Sequence, residues 1–226
     1  MVTTDNTIDL ILSNKAQSMG DNHISTGIET PLRPDAFELN DKEKMEIIAH
    51  HFAAIMDTLG LDLNDDSLQD TPKRVAKMFV QEIFQGLNPD NKPEISAFDN
   101  SYDYSRMLVE KNITVKTFCE HHFLPIVGKA HIGYVSNGKV IGLSKLNRIV
   151  DYFARRPQVQ ERMTKQILLA LQEALDTQDV IIVVDAKHMC VSHRGIQHDE
   201  SSTLTLEYSG CFENPETRRE FLDCLK

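Results

Sequence analysis

Residues 113–135 read Ile-Thr-Val-Lys-Thr-Phe-Cys-Glu-His-His-Phe-Leu-Pro-Ile-Val-Gly-Lys-Ala-His-Ile-Gly-Tyr-Val. Ile113–Phe118 and Ile126–Val135 are predicted strands, because both are rich in β-branched and apolar residues. The turn between them carries Cys119, Glu120, His121 and His122. Ser136-Asn137-Gly138 follows, and Asn-Gly in such a place is a strong turn signal.

Working outward, Val180–Asp185 reads as a buried strand and Thr203–Tyr208 as another. Between the two strand pairs, Ser144 opens a helix through about Phe153, and Gln158–Leu175 makes a longer amphipathic one. Pro215–Leu225 is a final helix. On the N-terminal side, Asp41 is expected to cap a helix with Met45, Ile48, Phe52, Ile55 and Leu59 at helical spacing, ending at Gly60. A second helix starts at Thr71-Pro72, since proline suits a first turn, and runs to Gly86. Residues 1–38 read as a flexible arm with a short helix near Ile8–Leu12, 39–95 as a helical lobe, and 96–226 as the catalytic domain. Strands in pairs with two consecutive helices between them imply α+β with an antiparallel sheet.

The chain has 226 residues, enough to bury a sizeable core, and its 41% hydrophobic and 26% charged residues are ordinary for a globular protein. A net charge of −10 argues against nonspecific nucleic-acid binding, though a local basic pocket can still focus field on a small anion. Met1–Asn14 lacks a basic start followed by an apolar run, and the apolar run Val180–Val184 is too short to span a bilayer. The four cysteines are irregularly spaced and do not resemble a disulfide framework. A cytoplasmic location, with neither membrane nor nucleic acid as partner, is the expectation.

Cys119 and His122 have the spacing of a tight metal-binding turn. Cys190, in His188-Met189-Cys190, can complete a three-ligand set from a distant segment. Zinc takes thiolate and imidazole readily, and a catalytic zinc keeps one position open beside three protein ligands. His121 and His188 would then stand by as proton carriers, because imidazole titrates near neutral pH. If the chain from Asp185 to Cys190 stays extended, His188 and Cys190 share a face. A closed structural zinc with His188 or Cys211 as fourth ligand also fits this spacing. Cys211 and Cys224 read more simply as small buried residues.

Ser144, Lys145 and Arg148 sit at a predicted helix start, where backbone N–H groups favour anions, and Lys145 and Arg148 share a face. Arg74 and Arg194 are further basic candidates, although each of these basic residues taken singly reads more readily as a solvated surface charge. Glu161 lies in the first turn of the long helix. It is either a helix-dipole carboxylate or an acceptor for the N–H edge of a base.

Four motifs occur together: Cys-Glu-His-His at 119–122, Ile-Gly-Leu-Ser-Lys-Leu-Asn-Arg at 141–148, Arg-Pro-Gln-Val-Gln-Glu-Arg at 156–162, and His-Met-Cys at 188–190. With Asp70-Thr71-Pro72-Lys73-Arg74 they resemble the GTP cyclohydrolase I family, from about residue 28 onwards. The resemblance implies a tunnelling fold, with an antiparallel sheet backed by two helices behind a helical lobe. It also implies a toroidal homodecamer with sites at subunit interfaces, open to allosteric control. The activity implied is conversion of GTP and water to formate and 7,8-dihydroneopterin triphosphate, the first step towards folate or related pterins. Cys119, His122 and Cys190 would hold one zinc per subunit, and a water activated there would attack C8 of guanine. His188 and His121 would carry protons, with Ser144 counted among the catalytic residues. Glu161 and Gln160, with Leu143, would hold the base. Lys145, Arg148, Arg194 and Arg74 would surround the triphosphate, Arg74 in a neighbouring chain's site.

The chain departs from the family pattern after Cys190, with Ser192 and His193, and through the acidic run Gln197-His198-Asp199-Glu200. Two other functions compete. A nitrile-reductase relative of the same fold would use a nucleophilic cysteine and would need neither His122 nor Cys190. A binding module with a structural zinc would unfold when Cys190 is replaced.

Overall fold

Asn40, rather than Asp41, caps the first helix, α1 (Asp41–Thr58). Its side chain accepts from the Glu43 N–H at 3.1 Å, while the Glu43 carboxylate accepts from the Asn40 N–H at 2.9 Å. This reciprocal box outcompetes Asp41 because Glu43 sits three residues after Asn40. The predicted single helix to Gly86 is instead three pieces. An α-helix, α2 (Thr71–Met78), runs into a π turn at Phe79–Ile83 and a 3₁₀ turn at Gln85–Leu87. The computed structural model describes residues 27–226, so the helix expected near Ile8–Leu12 lies outside the described residues.

Phe84 is the hinge of the lobe's contact with the rest of the chain. Its ring packs edge-on against Phe118 and Phe123, at 5.6 and 5.3 Å between centroids. Two residues on, the Gly86 N–H donates to the Arg155 carbonyl at 2.9 Å. A Cβ at Gly86 would lie 2.1 Å from the Tyr152 carbonyl oxygen, so no larger residue fits. Gly86→Ala is therefore expected to cost about 1–3 kcal/mol through overpacking, read as a lower urea midpoint at unchanged slope.

The stretch that opened the reading forms the middle of the main sheet. After a short strand β1 (Ala97–Asp99) come β2 (Met107–Cys119) and β3 (Pro125–Val135), which are antiparallel, with a bulge between Glu110 and Ile113. Ile113, Val115, Thr117 and Cys119 face the core while Thr114 and Lys116 face out, the period of two that a pleated strand imposes. Gly138, at φ +84°, closes the Asn-Gly turn. That turn leads not into the main sheet but into β4 (Lys139–Ile141), which pairs with β1 in a separate two-stranded sheet.

The chain then forms α3 (Leu143–Ala154), the two-residue strand β5 (Pro157–Gln158), α4 (Gln160–Leu175), β6 (Val180–His188), a one-turn helix α5 (Met189–Ser192), β7 (Thr203–Tyr208) and α6 (Pro215–Asp223). The five-stranded sheet has the order β5-β2-β3-β6-β7. It is antiparallel except that β5 runs parallel to β2, so the sheet is mixed. Helices α3 and α4 cover one face through Leu146, Ile149, Met163, Ile167 and Leu171. On the other face Phe212 and Phe221 pack on Ile181 and Val183. The whole is an α+β arrangement consistent with the tunnelling fold. Among the described residues no helix is long and apolar enough to cross a membrane.

Candidate metal centre and active site

The turn after β2 is tight because its backbone closes on itself. The Cys119 N–H donates to the Leu124 carbonyl and the Phe123 N–H to the Cys119 carbonyl, both at 2.8 Å. Phe123 accepts a left-handed φ of +52° to complete it, and its ring lies against Phe79 and Phe84 of the lobe. Cys119 and His122 thus meet on one side of a rigid loop. Cys190 arrives by a different route from the one expected. The strand ends at His188 and the chain coils into α5, so Cys190 sits on a helical turn and not on an extended face. The change of direction brings it to the other two.

The ligand atoms of Cys119, His122 and Cys190 all lie within 4.8 Å of one another. Tetrahedral zinc with bonds of about 2.0–2.3 Å needs donors a little under 4 Å apart, so small side-chain rotations close the set. The electrostatics also suit a cation. Burial, and then the nearby Cys119 sulfur, push the Cys190 thiol above its ordinary value, with Arg194 pulling weakly the other way. A metal between the two sulfurs would offset the repulsion that opposes a thiolate at Cys190. Cys211 belongs elsewhere: its backbone N–H donates to Asp179 at 2.6 Å, and burial, then Asp179, raises its thiol to about 11.

Arginine can only donate, so the 2.7 Å contact from Arg194 Nη1 to His122 Nε2 makes that nitrogen the acceptor. His121 lies 3.7 Å from the Cys119 sulfur and, through Nε2, 3.7 Å from the Glu120 carboxylate.

His188 is oriented from behind. The two N–H groups of the Gln160 amide are shared among the carbonyls of Val184 at 3.0 Å and Thr203 at 2.8 Å and the Thr205 hydroxyl at 3.1 Å. Its oxygen is thereby left to accept from His188 Nε2 at 2.8 Å. In the neutral imidazole the proton is on Nε2 and Nδ1 is the open acceptor. Burial holds His188 below the usual histidine value, opposed by the charge of Glu161. Glu161 and His121 line one recess of about 480 Å³, together with Gly27, Ile28, Val159, Arg162 and Lys165.

The remaining predicted residues lie apart from this recess. Leu143 and Ser144 are exposed at the start of α3. Lys145 donates to the Glu94 carbonyl at 2.7 Å, and Arg148 lines a smaller hollow with Gln85, Asp151 and Arg155. Arg74 stands exposed on α2. Sequence reasoning missed the partners of the site: Glu120, held by Arg162, and the two threonines that hold Gln160. For Glu120 and Arg162 the only available signal was their position inside the quoted motifs.

The chain is similar to known proteins over most of its length. The family model described as GTP cyclohydrolase I matches residues 48–226. A GTP cyclohydrolase 1 of Flavobacterium johnsoniae is 60% identical over 208 residues, covering 92% of this chain and 93% of its own. That of Vibrio parahaemolyticus is 50% identical over 216 residues, covering 95% and 99%. That of Aeromonas salmonicida is 52% identical over 201 residues, covering 88% and 91%. A match over most of the chain, at such identity, leaves one assignment: the chain belongs to the GTP cyclohydrolase I family.

Proposed function

We propose that the chain opens the imidazole ring of GTP at a zinc centre held by Cys119, His122 and Cys190, yielding formate and 7,8-dihydroneopterin triphosphate. The observation that carries this reading is the convergence of those three donors within 4.8 Å. Zinc, when bound, supplies Lewis acidity that brings the pKa of water close to neutrality.

The chain's own residues do the rest. Glu161, in the first turn of α4, accepts the N–H edge of guanine in the recess it shares with His121. Gln160 lends its backbone and first-turn position, since its amide is already committed to His188, Val184, Thr203 and Thr205. His188 takes a proton from the attacking water on Nδ1 and passes it to the ring nitrogen as the imidazole opens, because Nε2–H is held by Gln160. His121 moves protons in the later opening and reclosure of the ribose. Arg194, Lys145 and Arg148 bind the triphosphate, with Leu143 and Ser144 beside them. Arg74 completes the phosphate site of a neighbouring copy within a homodecamer.

The test is a formate-release assay on GTP, with and without chelator. About one zinc per chain and release abolished by chelation are expected. Metal without formate, or without a fluorescent pterin after oxidation, overturns the reading.

A further inference from the structure

Three consecutive residues at the start of α4 reach three different parts of the site. Gln160 holds His188, Glu161 lines the recess with His121, and Arg162 turns to the metal-binding turn itself. Arg162 grips Glu120 with both ends of its fork, Nη1 to Oε2 at 2.5 Å and Nη2 to Oε1 at 3.2 Å. Its third donor, Nε, reaches the Gly27 carbonyl at 3.0 Å. The side chain is only 4% exposed, and Glu120 only 18%.

Such a pair gains little stability, because desolvating two charges offsets most of their attraction. What a planar fork does supply is a fixed distance and angle between the segments that carry its two halves. One half, Glu120, lies between the ligands Cys119 and His122. The backbone N–H of Glu120 also donates to the Gln158 carbonyl at 3.0 Å, just ahead of α4. The other half is the immediate neighbour of Glu161.

We propose that Arg162, acting through Glu120, is a positioning residue. It sets the metal-binding turn at the right separation from the Glu161 carboxylate, and so the reacting carbon of the base against the centre. The inference rests on the functional reading above and deepens it. Since displacements of about 1 Å can cost 10²-fold in rate, loosening the fork shows in turnover.

The test uses full-length Arg162→Lys, Glu120→Gln and the double variant. Formate release is measured at saturating zinc, well below the unfolding temperature, and zinc affinity is measured by chelator competition. Lysine keeps the charge but cannot span both carboxylate oxygens and Gly27. Each single variant is expected to lose roughly 10²-fold in kcat and about 10-fold or more in zinc affinity. The double variant should lose no more than the worse single, because both act through one contact. If Arg162→Lys fails to fold, Glu120→Gln carries the comparison with wild type. Unchanged kcat and zinc affinity with only a lower melting point would make the pair merely structural and overturn the proposal. So would a double variant whose loss is the product of the singles. Should wild type release no formate, the functional reading fails, while the zinc competition still reports whether Arg162 holds the turn.

Discussion

Cys190→Ser is expected to strip the chain of its metal and reduce formate release from GTP to background, while the fold survives. Cys190 sits on the one-turn helix α5, beyond the end of β6, and is only partly buried against the core. Its removal leaves Cys119 and His122, and two ligands do not retain zinc against competition from water. The sheet does not depend on it. β6 keeps nine register pairs with β3, from Ile126↔His188 to Tyr134↔Val180, and the core on both faces remains intact. Metal analysis, near-ultraviolet circular dichroism and the formate assay on one preparation check all three parts. A variant that still holds about one zinc contradicts the ligand set. A variant that unfolds makes the metal structural.

His188→Ala is expected to keep zinc and lose 10²-fold or more in turnover, the usual effect of a missing acid–base group. The loss has two sources in this structure. Nδ1 disappears as the proton-exchanging atom. The Gln160 oxygen also loses its 2.8 Å partner and becomes a buried, unsatisfied acceptor, at a cost of about 1–3 kcal/mol in stability. The two are separable, since a melting temperature reports the second and single-turnover rates report the first. Loss of zinc in this variant would show that ligand and proton carrier were assigned the wrong way round.

Much of this site could be read directly from residue types. The Cys119/His122 spacing, the second Cys/His segment at 188–190 and the helix start at 160–162 are local signals, set by chemistry that few residues can perform. What could not be read is where backbone hydrogen bonding redirects the chain. Asn40 took the cap from Asp41 because Glu43 completed a box. The helix from Thr71 broke into π and 3₁₀ turns where Phe79 and Phe84 turn to meet Phe123. The strand read over Val180–Asp185 runs on to His188 and then coils, so the chain does not stay extended to Cys190. The Asn-Gly turn was correctly seen as a turn, but its outgoing strand pairs with residues 97–99, about forty positions back, which no local pattern reports. Glu120–Arg162 was invisible for the same reason. An ion pair between residues 42 apart is a property of the fold.

The segment Gly27–Thr30 is stitched to the start of α4 and the turn before it by three side chains. Arg162 takes the Gly27 carbonyl, Gln166 takes the Ile28 carbonyl at 2.8 Å, and Arg156, stacked on Tyr152 and Phe153, reaches the Thr30 hydroxyl at 3.3 Å. Two of the three bonds end on main-chain oxygen, which every amino acid carries. The docking information therefore resides in the receiving surface, and the arriving strip can change its side chains at 27 and 28 and still be recognised. Drift in that strip would alter what the recess presents to its contents without undoing the attachment, so the wall beside Glu161 can be retuned one residue at a time.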